Sequence, residues 1–419
     1  MRPGWSCRYS ESNASASSRS ADPGRYRRTV KVMVVHNRYR SDVPSGENRV
    51  VDTEIEMLAD AGVEVVPYLR SSDEIAQMPA VQRLAVPLQP VYGRRAVADV
   101  ERLIRTHRPD VLHLHNPYPL VSLSVVPAAH RLGVPVVQTV HNHRHSCMRG
   151  SYFRDGHECR LCEGRSTPWP AVQHGCYRDS HLQSVPMVVA LRAHRADQRA
   201  VDRYIALTQP IADSLLASGL VQAGQVVVRP NTVPDPGTPA PVGSGVLFVG
   251  RLTFEKGVDM LLEAWRRSGR AMGSLTIVGD GPLRNLVETR AADPAAGIIA
   301  RGPLTADGVA AEMSQCAAVV VPSVSPEALP LVVLEAFAHG RAVLATDGGG
   351  LTATVDPSLG LLTSPSEDGL AEALRGLATR DLTALGHAAR QRYDNCYSPA
   401  VVLAAQLGIY RSVIAENSR

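Results

Sequence analysis

The sequence predicts an α/β chain of two doubly wound, Rossmann-like domains that face each other across a hinge. Short apolar, β-branched runs alternate with helical patterns along most of the chain, which implies parallel sheets covered on both faces. The alternation is interrupted by "TVPDPGTPAPVGSG", a Pro- and Gly-rich stretch that begins at Thr232 and reads as a linker. A length of 419 residues is too great for one compact core and suits two domains of similar size. The expected organisation is a disordered basic tail over 1–29, an amino-terminal domain over 30–232 with a Cys-rich insertion at 143–180, a linker at 233–244, a second domain over 245–395, and a helix over 396–419 that packs back on the first domain.

In the first half the strand-like runs are "KVMVVHN" from Lys31, "VEVVPYL" from Val63, "VLHLHN" from Val111, "VPVVQTVHN" from Val134, "RYIALT" from Arg203 and "VVVRPN" from Val226. A helical pattern at 47–61 is stopped by Gly62. After the linker the strands are "GVLFVG", "LTIVGDG", "IIARG", "AVVVPS" and "AVLATD", with helices after Lys256, Pro282, Thr305 and Pro330. In "SPEALPLVVLEAFAHG", Pro330 suits a first helical position and Gly340 a stop. Leu331, Leu334 and Phe337 recur at helical spacing, so Glu335 should be largely buried. A buried carboxylate needs a partner: a cation inside the protein or a polar ligand at the start of the helix.

The net charge of +4 has one address, the first 28 residues, where six arginines face two acids. The remainder is neutral, which gives no basis for a nucleic-acid partner. No apolar run of membrane length is read, and the tail lacks the apolar centre of a secretory signal, so a cytoplasmic location is expected. Lysine occurs at Lys31 and Lys256 alone, against 42 arginines, which makes Lys256 a candidate for chemistry.

In doubly wound sheets ligands sit beyond the carboxyl ends of the strands. Three such loops in the second half carry suitable groups. In "VGRLTFEKG", Gly250 ends a strand and is followed by Arg251 and Lys256, two cations suited to a diphosphate. "VGDGPLR" is a tight glycine turn into a helix, and the stretch before Leu331 offers free N–H groups at a helix start.

Together "GRL..EKG", "GDGP", the spaced pair Glu327 and Glu335, and "DGGG" resemble the donor half of the retaining GT-B glycosyltransferases of family 4. "HNRYR...SGEN", "PDVLHLHN", "GVPVVQTVHN", "ALT" and "RPN" are similar to the other half of that family, and the resemblance spans residues 31 to 395. It implies transfer of a hexose-type sugar from a nucleotide diphosphate donor, UDP- or GDP-linked, to a hydroxyl of a carbohydrate, lipid or small-molecule acceptor. It also implies roles. Arg251 and Lys256 would grip the diphosphate. Glu327 would accept from sugar hydroxyls near the amides of Leu329 and Leu331, and Glu335 from the ribose. His141 would lie beside the transferred sugar, with Asn116 after the neighbouring strand and Gly46 under the phosphates. With two cations on the leaving group, no catalytic metal or other cofactor is expected. Two departures stand out: Ser45 replaces a second glycine, and no glutamate follows "DGGG". The rivals are a nucleotide-sugar epimerase or sugar phosphorylase of the same fold, and a non-catalytic nucleotide-binding or interaction protein.

Cys147, Cys159, Cys162 and Cys176 share one insertion. One C-x-x-C with two further cysteines can close a tetrahedral thiolate site, so a structural zinc is expected, with reduced thiols or disulfides as the alternatives. Arg192, Arg195, Arg199 and Arg203 recur at helical spacing; the stripe is a solvated face, a peripheral contact with anionic lipid at the inner membrane face, or a site for an acidic acceptor.

Overall fold

The computed structural model describes residues 30–42 and 45–418. The predicted tail at 1–29 lies outside these residues. Strands β1 (Lys31–Arg38), β2 (Glu64–Ser71), β3 (Val111–Leu114), β4 (Val136–Val140), β7 (Arg203–Ala206) and β8 (Val226–Val228) form a parallel sheet in the order β2-β1-β3-β4-β7-β8. Between β4 and β7 the Cys-rich insertion carries a two-stranded hairpin of β5 (Phe153–Arg154) and β6 (His157–Glu158). The second parallel sheet comprises β9 (Val246–Val249), β10 (Leu275–Val278), β11 (Ile298–Gly302), β12 (Ala318–Val321), β13 (Ala342–Thr346) and β14 (Gly360–Thr363), in the order β11-β10-β9-β12-β13-β14. The sequence reading had no counterpart for β14.

Each sheet is buried on both faces, and alternate residues of one strand feed different cores. Met33 and Val35 join one cluster while Val32 and Val34 join another; Val246 and Phe248 separate from Leu247 in the same way. The switch in strand order falls between β1 and β3 in the first sheet and between β9 and β12 in the second. The loops that leave those strands therefore diverge and open a crevice, the place where such sheets bind ligands.

The linker is anchored to the second domain. Arg341, 1% exposed, donates to the carbonyls of Ala240 and Pro241 at 3.1 Å, and to those of Met313 and Ser314 at 2.9 and 2.8 Å. The chain then returns through the helix Pro399–Asn417, which buries Ile409, Tyr410 and Val413 against Val32, Val34 and Val51 of the first domain. At the two crossing points Thr232 Oγ1 donates to the Tyr397 carbonyl at 2.7 Å. The helical stretch Leu382–Asn417 is long and apolar enough for a membrane span, contrary to the sequence reading. Its apolar side chains serve as core contacts, in which Val402, Tyr410 and Val413 are buried.

Candidate active site in the interdomain cleft

The loops after β9 and β12 meet at the switch point of the second sheet. Lys256 Nζ lies 2.5 Å from Glu327 Oε1, and Ser323 Oγ donates to the same oxygen at 2.6 Å. Burial opposes ionisation of Glu327, but Lys256, Ser323 and Arg251 outweigh it and hold the carboxyl below its ordinary range. Arg251 is half-exposed, with Glu255 at 3.9 Å as a loose neighbour. Its guanidinium is thus available to a ligand, whereas Lys256 would have to be shared with Glu327.

The glycines around this site have identifiable tasks. A Cβ on Gly350 would lie 1.9 Å from the Ala328 carbonyl, and one on Gly349 would lie 2.5 Å from that of Glu327. Gly350 N donates to Glu327 O, and Glu327 pairs with Gly349 in an isolated bridge. "DGGG" therefore lets a second loop press against the backbone that carries Glu327. Gly279 plays the same part for Gly250, whose carbonyl would be 1.9 Å from a Cβ at 279; a Cβ on Gly250 itself would meet only the Phe248 ring at 3.4 Å.

The helix that carries Glu335 spans Leu331–Ala338. Pro330 has ψ 126° and stands as its N-cap, so the sequence assignment of Pro330 to the first helical position is one residue early. Leu329 is buried, and Leu331 opens the helix facing Gly46, where a Cβ would be 3.8 Å from Leu331 Cδ1. Glu335 does meet a cation, and that cation comes from the opposite domain: Arg49 of helix α1 (Gly46–Asp60) is ion-paired to Glu335 Oε1. With Thr208 Oγ1 donating to the Ala328 carbonyl at 3.1 Å, this pair bridges the two domains.

On the first domain's side, His141 stands just beyond β4 and lines a pocket with Glu47, Asn116, Tyr118, Gln138 and Arg144. Burial, then the neighbouring His115 and His36, holds its imidazole well below the ordinary range, so the ring is neutral. Asn116 is already engaged. Its Nδ2 donates to the carbonyls of Asn37 and Tyr118 at 2.9 and 3.0 Å, and its Oδ1 accepts from Tyr118 N at 3.1 Å. These bonds fix Asn116 in the wall of the pocket that His141 lines. Glu47 went unread; burial raises its carboxyl, and it accepts from Tyr39 Oη at 3.1 Å and Asn142 Nδ2 at 3.3 Å. Its position in the first turn of α1, directly after Gly46, was the available signal.

A family model described as Glycosyltransferase Family 4 matches residues 44–235, and one described as Glycosyl transferases group 1 matches residues 243–380. The chain belongs to the family 4 glycosyltransferases. Among relatives of this family 4 chain, the 2-deoxystreptamine N-acetyl-D-glucosaminyltransferase of Streptomyces fradiae is 32% identical over 60% of the chain and 58% of its own length. The α-maltose-1-phosphate synthase of Mycobacterium tuberculosis is 34% identical over 43% of the chain and 50% of its own. The match thus spans about half the length of these curated relatives. In fold, the chain is similar to Anabaena HepE solved with UDP, at a TM-score of 0.62 and 16% identity over 91% of this chain and 100% of the other. It is also similar to a sucrose-phosphate synthase from Thermosynechococcus elongatus, at 0.65 and 18% over 92% and 100%.

Proposed function

We propose that this chain is a retaining glycosyltransferase that moves a hexose-type sugar from a UDP- or GDP-linked donor to an acceptor hydroxyl. The observation that carries the reading is the meeting of Arg251, Lys256 and Glu327 at one switch point of the second sheet. Arg251 and Lys256 take up the charge that develops on the leaving diphosphate. The bond from C1 to the phosphate oxygen breaks as one from C1 to the acceptor oxygen forms on the same face, and the acceptor's proton passes to the departing phosphate. Glu327 is polarised to accept from sugar hydroxyls. Glu335 accepts from the ribose when Arg49 yields or shares it.

UDP leads the nucleotides to be tested, because HepE, whose fold this chain shares, was solved with UDP and with UDP-glucose. Thermal unfolding with UDP, GDP, ADP and dTDP should show one of them raising Tm, since a ligand that binds only the folded state stabilises it by mass action. If none does so at millimolar concentration, the donor assignment is wrong. Nucleotide release without a glycosylated acceptor would instead favour a hydrolase or epimerase.

Two further roles belong to this proposal. The four insertion cysteines take a structural zinc. All four thiols are unpaired and half-buried, and burial followed by the charge of the other three pushes the Cys162 thiol up to about 12. A dication would reverse that cost. Among the described residues the trio whose ligand atoms already lie within 4.8 Å of one another is Glu54, His113 and His115, so the sulfurs must draw inward to bind. The second role is docking of the helix His181–Ala193 to an anionic membrane face. Its exposed Leu182, Val185 and Val189 continue along one stripe into the exposed Arg192, and the exposed Arg199 follows in the next helix, Arg195–Ala200.

A further inference from the structure

Behind His141 lies a carboxylate that the proposed reaction leaves without a task. Glu54 of α1 is 3% exposed. Three groups surround it: Arg229 Nη2 at 2.8 Å, His113 Nδ1 at 2.7 Å and His115 Nε2 at 3.5 Å. His115 then reaches His141, with 2.9 Å between His115 Nδ1 and His141 Nε2 and the two rings stacked at 5.2 Å. A continuous file of polar atoms thus runs from a salt bridge in the core to the wall of the cleft.

The protons on this file can be assigned from Glu54 outward. Burial opposes its charge, but His113, Arg229 and His115 more than compensate, and the carboxyl lies well below its ordinary range. An ionised carboxylate only accepts. His115 Nε2 and Glu54 Oε1 are both buried without a hydrogen-bond partner and face each other at 3.5 Å, and the arrangement that suits both puts a proton on Nε2, because a bare lone pair there would repel the anion. Burial, then His113, lowers His115 to about 4, so the ring is neutral and holds one proton, on Nε2. Its Nδ1 is then an acceptor, and His141 must supply the hydrogen from its own Nε2. A neutral His141 is left with a lone pair on Nδ1.

We infer that Glu54 is a positioning residue: acting through His115, it fixes His141 in the Nε2–H tautomer, so that His141 presents Nδ1 to the cleft as a hydrogen-bond acceptor. Such a ring receives a hydrogen bond from a sugar hydroxyl and cannot donate one. The inference rests on the place of His141 beside the donor sugar given above, but the tautomer can be tested apart from activity. Arg229 keeps Glu54 charged, and Tyr410 from the carboxyl-terminal helix packs on the far side, its Oη 2.8 Å from His113 Nδ1.

The test is a pair of measurements on the full chain. In protein labelled with 15N-histidine, with His141 assigned by its loss in His141→Gln, two-bond correlations should place the proton on Nε2 in wild type. In Glu54→Gln, whose amide can donate or accept, both tautomers of His141 should appear, and kcat should fall roughly tenfold with KM within about twofold. If that variant does not accumulate, Glu54→Gln with Arg229→Met removes both charges together and leaves no orphan in the core. A proton on Nδ1 in wild type, or an unchanged tautomer in the variants, overturns the inference. Full transfer by His141→Gln, with the wild-type tautomer as expected, would strike the role of His141 in the reaction and leave the relay standing.

Discussion

Lys256→Ala separates the two partners that the ammonium serves. In the structure Lys256 is 26% exposed and Glu327 14%, so the contact between them is not a freely screened surface pair. A diphosphate that takes the place of Glu327, or shares the ammonium with it, gains a charged hydrogen bond worth about 1.5–3 kcal/mol. Its loss should weaken nucleotide diphosphate binding by roughly 10- to 150-fold. Uridine, which offers only base and ribose, should bind the variant within about threefold of wild type, because it never reaches the lysine. Calorimetric titration with UDP and with uridine on both proteins reads the difference directly. Equal weakening of the two ligands would mean that Lys256 acts by holding Glu327 and its loop in place, and the diphosphate grip would be refuted.

Other outcomes follow from the same geometry. Gly350→Ala drives a Cβ into the Ala328 carbonyl and should cost about 1–3 kcal/mol of stability while disturbing the backbone under Glu327; an unchanged Tm would show that the loop yields freely. Glu54 has a depressed carboxyl, so its contribution to stability is complete above the unfolded value near 4.5 and is lost as pH falls through the lower folded value. The Tm gap between wild type and Glu54→Gln should therefore shrink below about pH 4.5, and a gap that stays constant would contradict the ion-paired assignment. Protein expressed with zinc should carry one ion per chain and lose it with Cys159→Ser and Cys162→Ser; metal-free wild type by elemental analysis would end the zinc reading. Vesicles rich in anionic lipid should sediment the chain in a salt-sensitive manner that Val189→Asp with Arg192→Glu abolishes; equal recovery with zwitterionic vesicles would remove the membrane role.

The strands and their loops were readable because apolar β-branched runs ending in Gly, Pro or Asn leave few other folds, and the chemistry sits where those runs stop. β14 was not, since "GLLT" between Pro357 and Pro365 is too short to show a period. The Arg49 to Glu335 pair joins residues 286 apart, and no local pattern reports such a distance. Pro330 was misplaced because its fixed φ suits both an N-cap and a first helical residue, and only ψ separates them. Glu54 did leave a trace. It falls on the buried stripe of α1 formed by Val50, Val51 and Leu58, where a carboxylate requires a partner.

The tie between Thr232 and Tyr397 bears on how the cleft opens. The covalent crossings lie side by side there, and the segment that follows the first is gripped by Arg341 and travels with the second domain. Any swing must pivot at this seam and not along the Pro-rich stretch, whose length then contributes little slack. Because the closing helix ends against the same strands that support His113, a wide opening has to proceed without prying that helix loose. Rotation about a narrow axis meets this condition, whereas separation of the lobes does not.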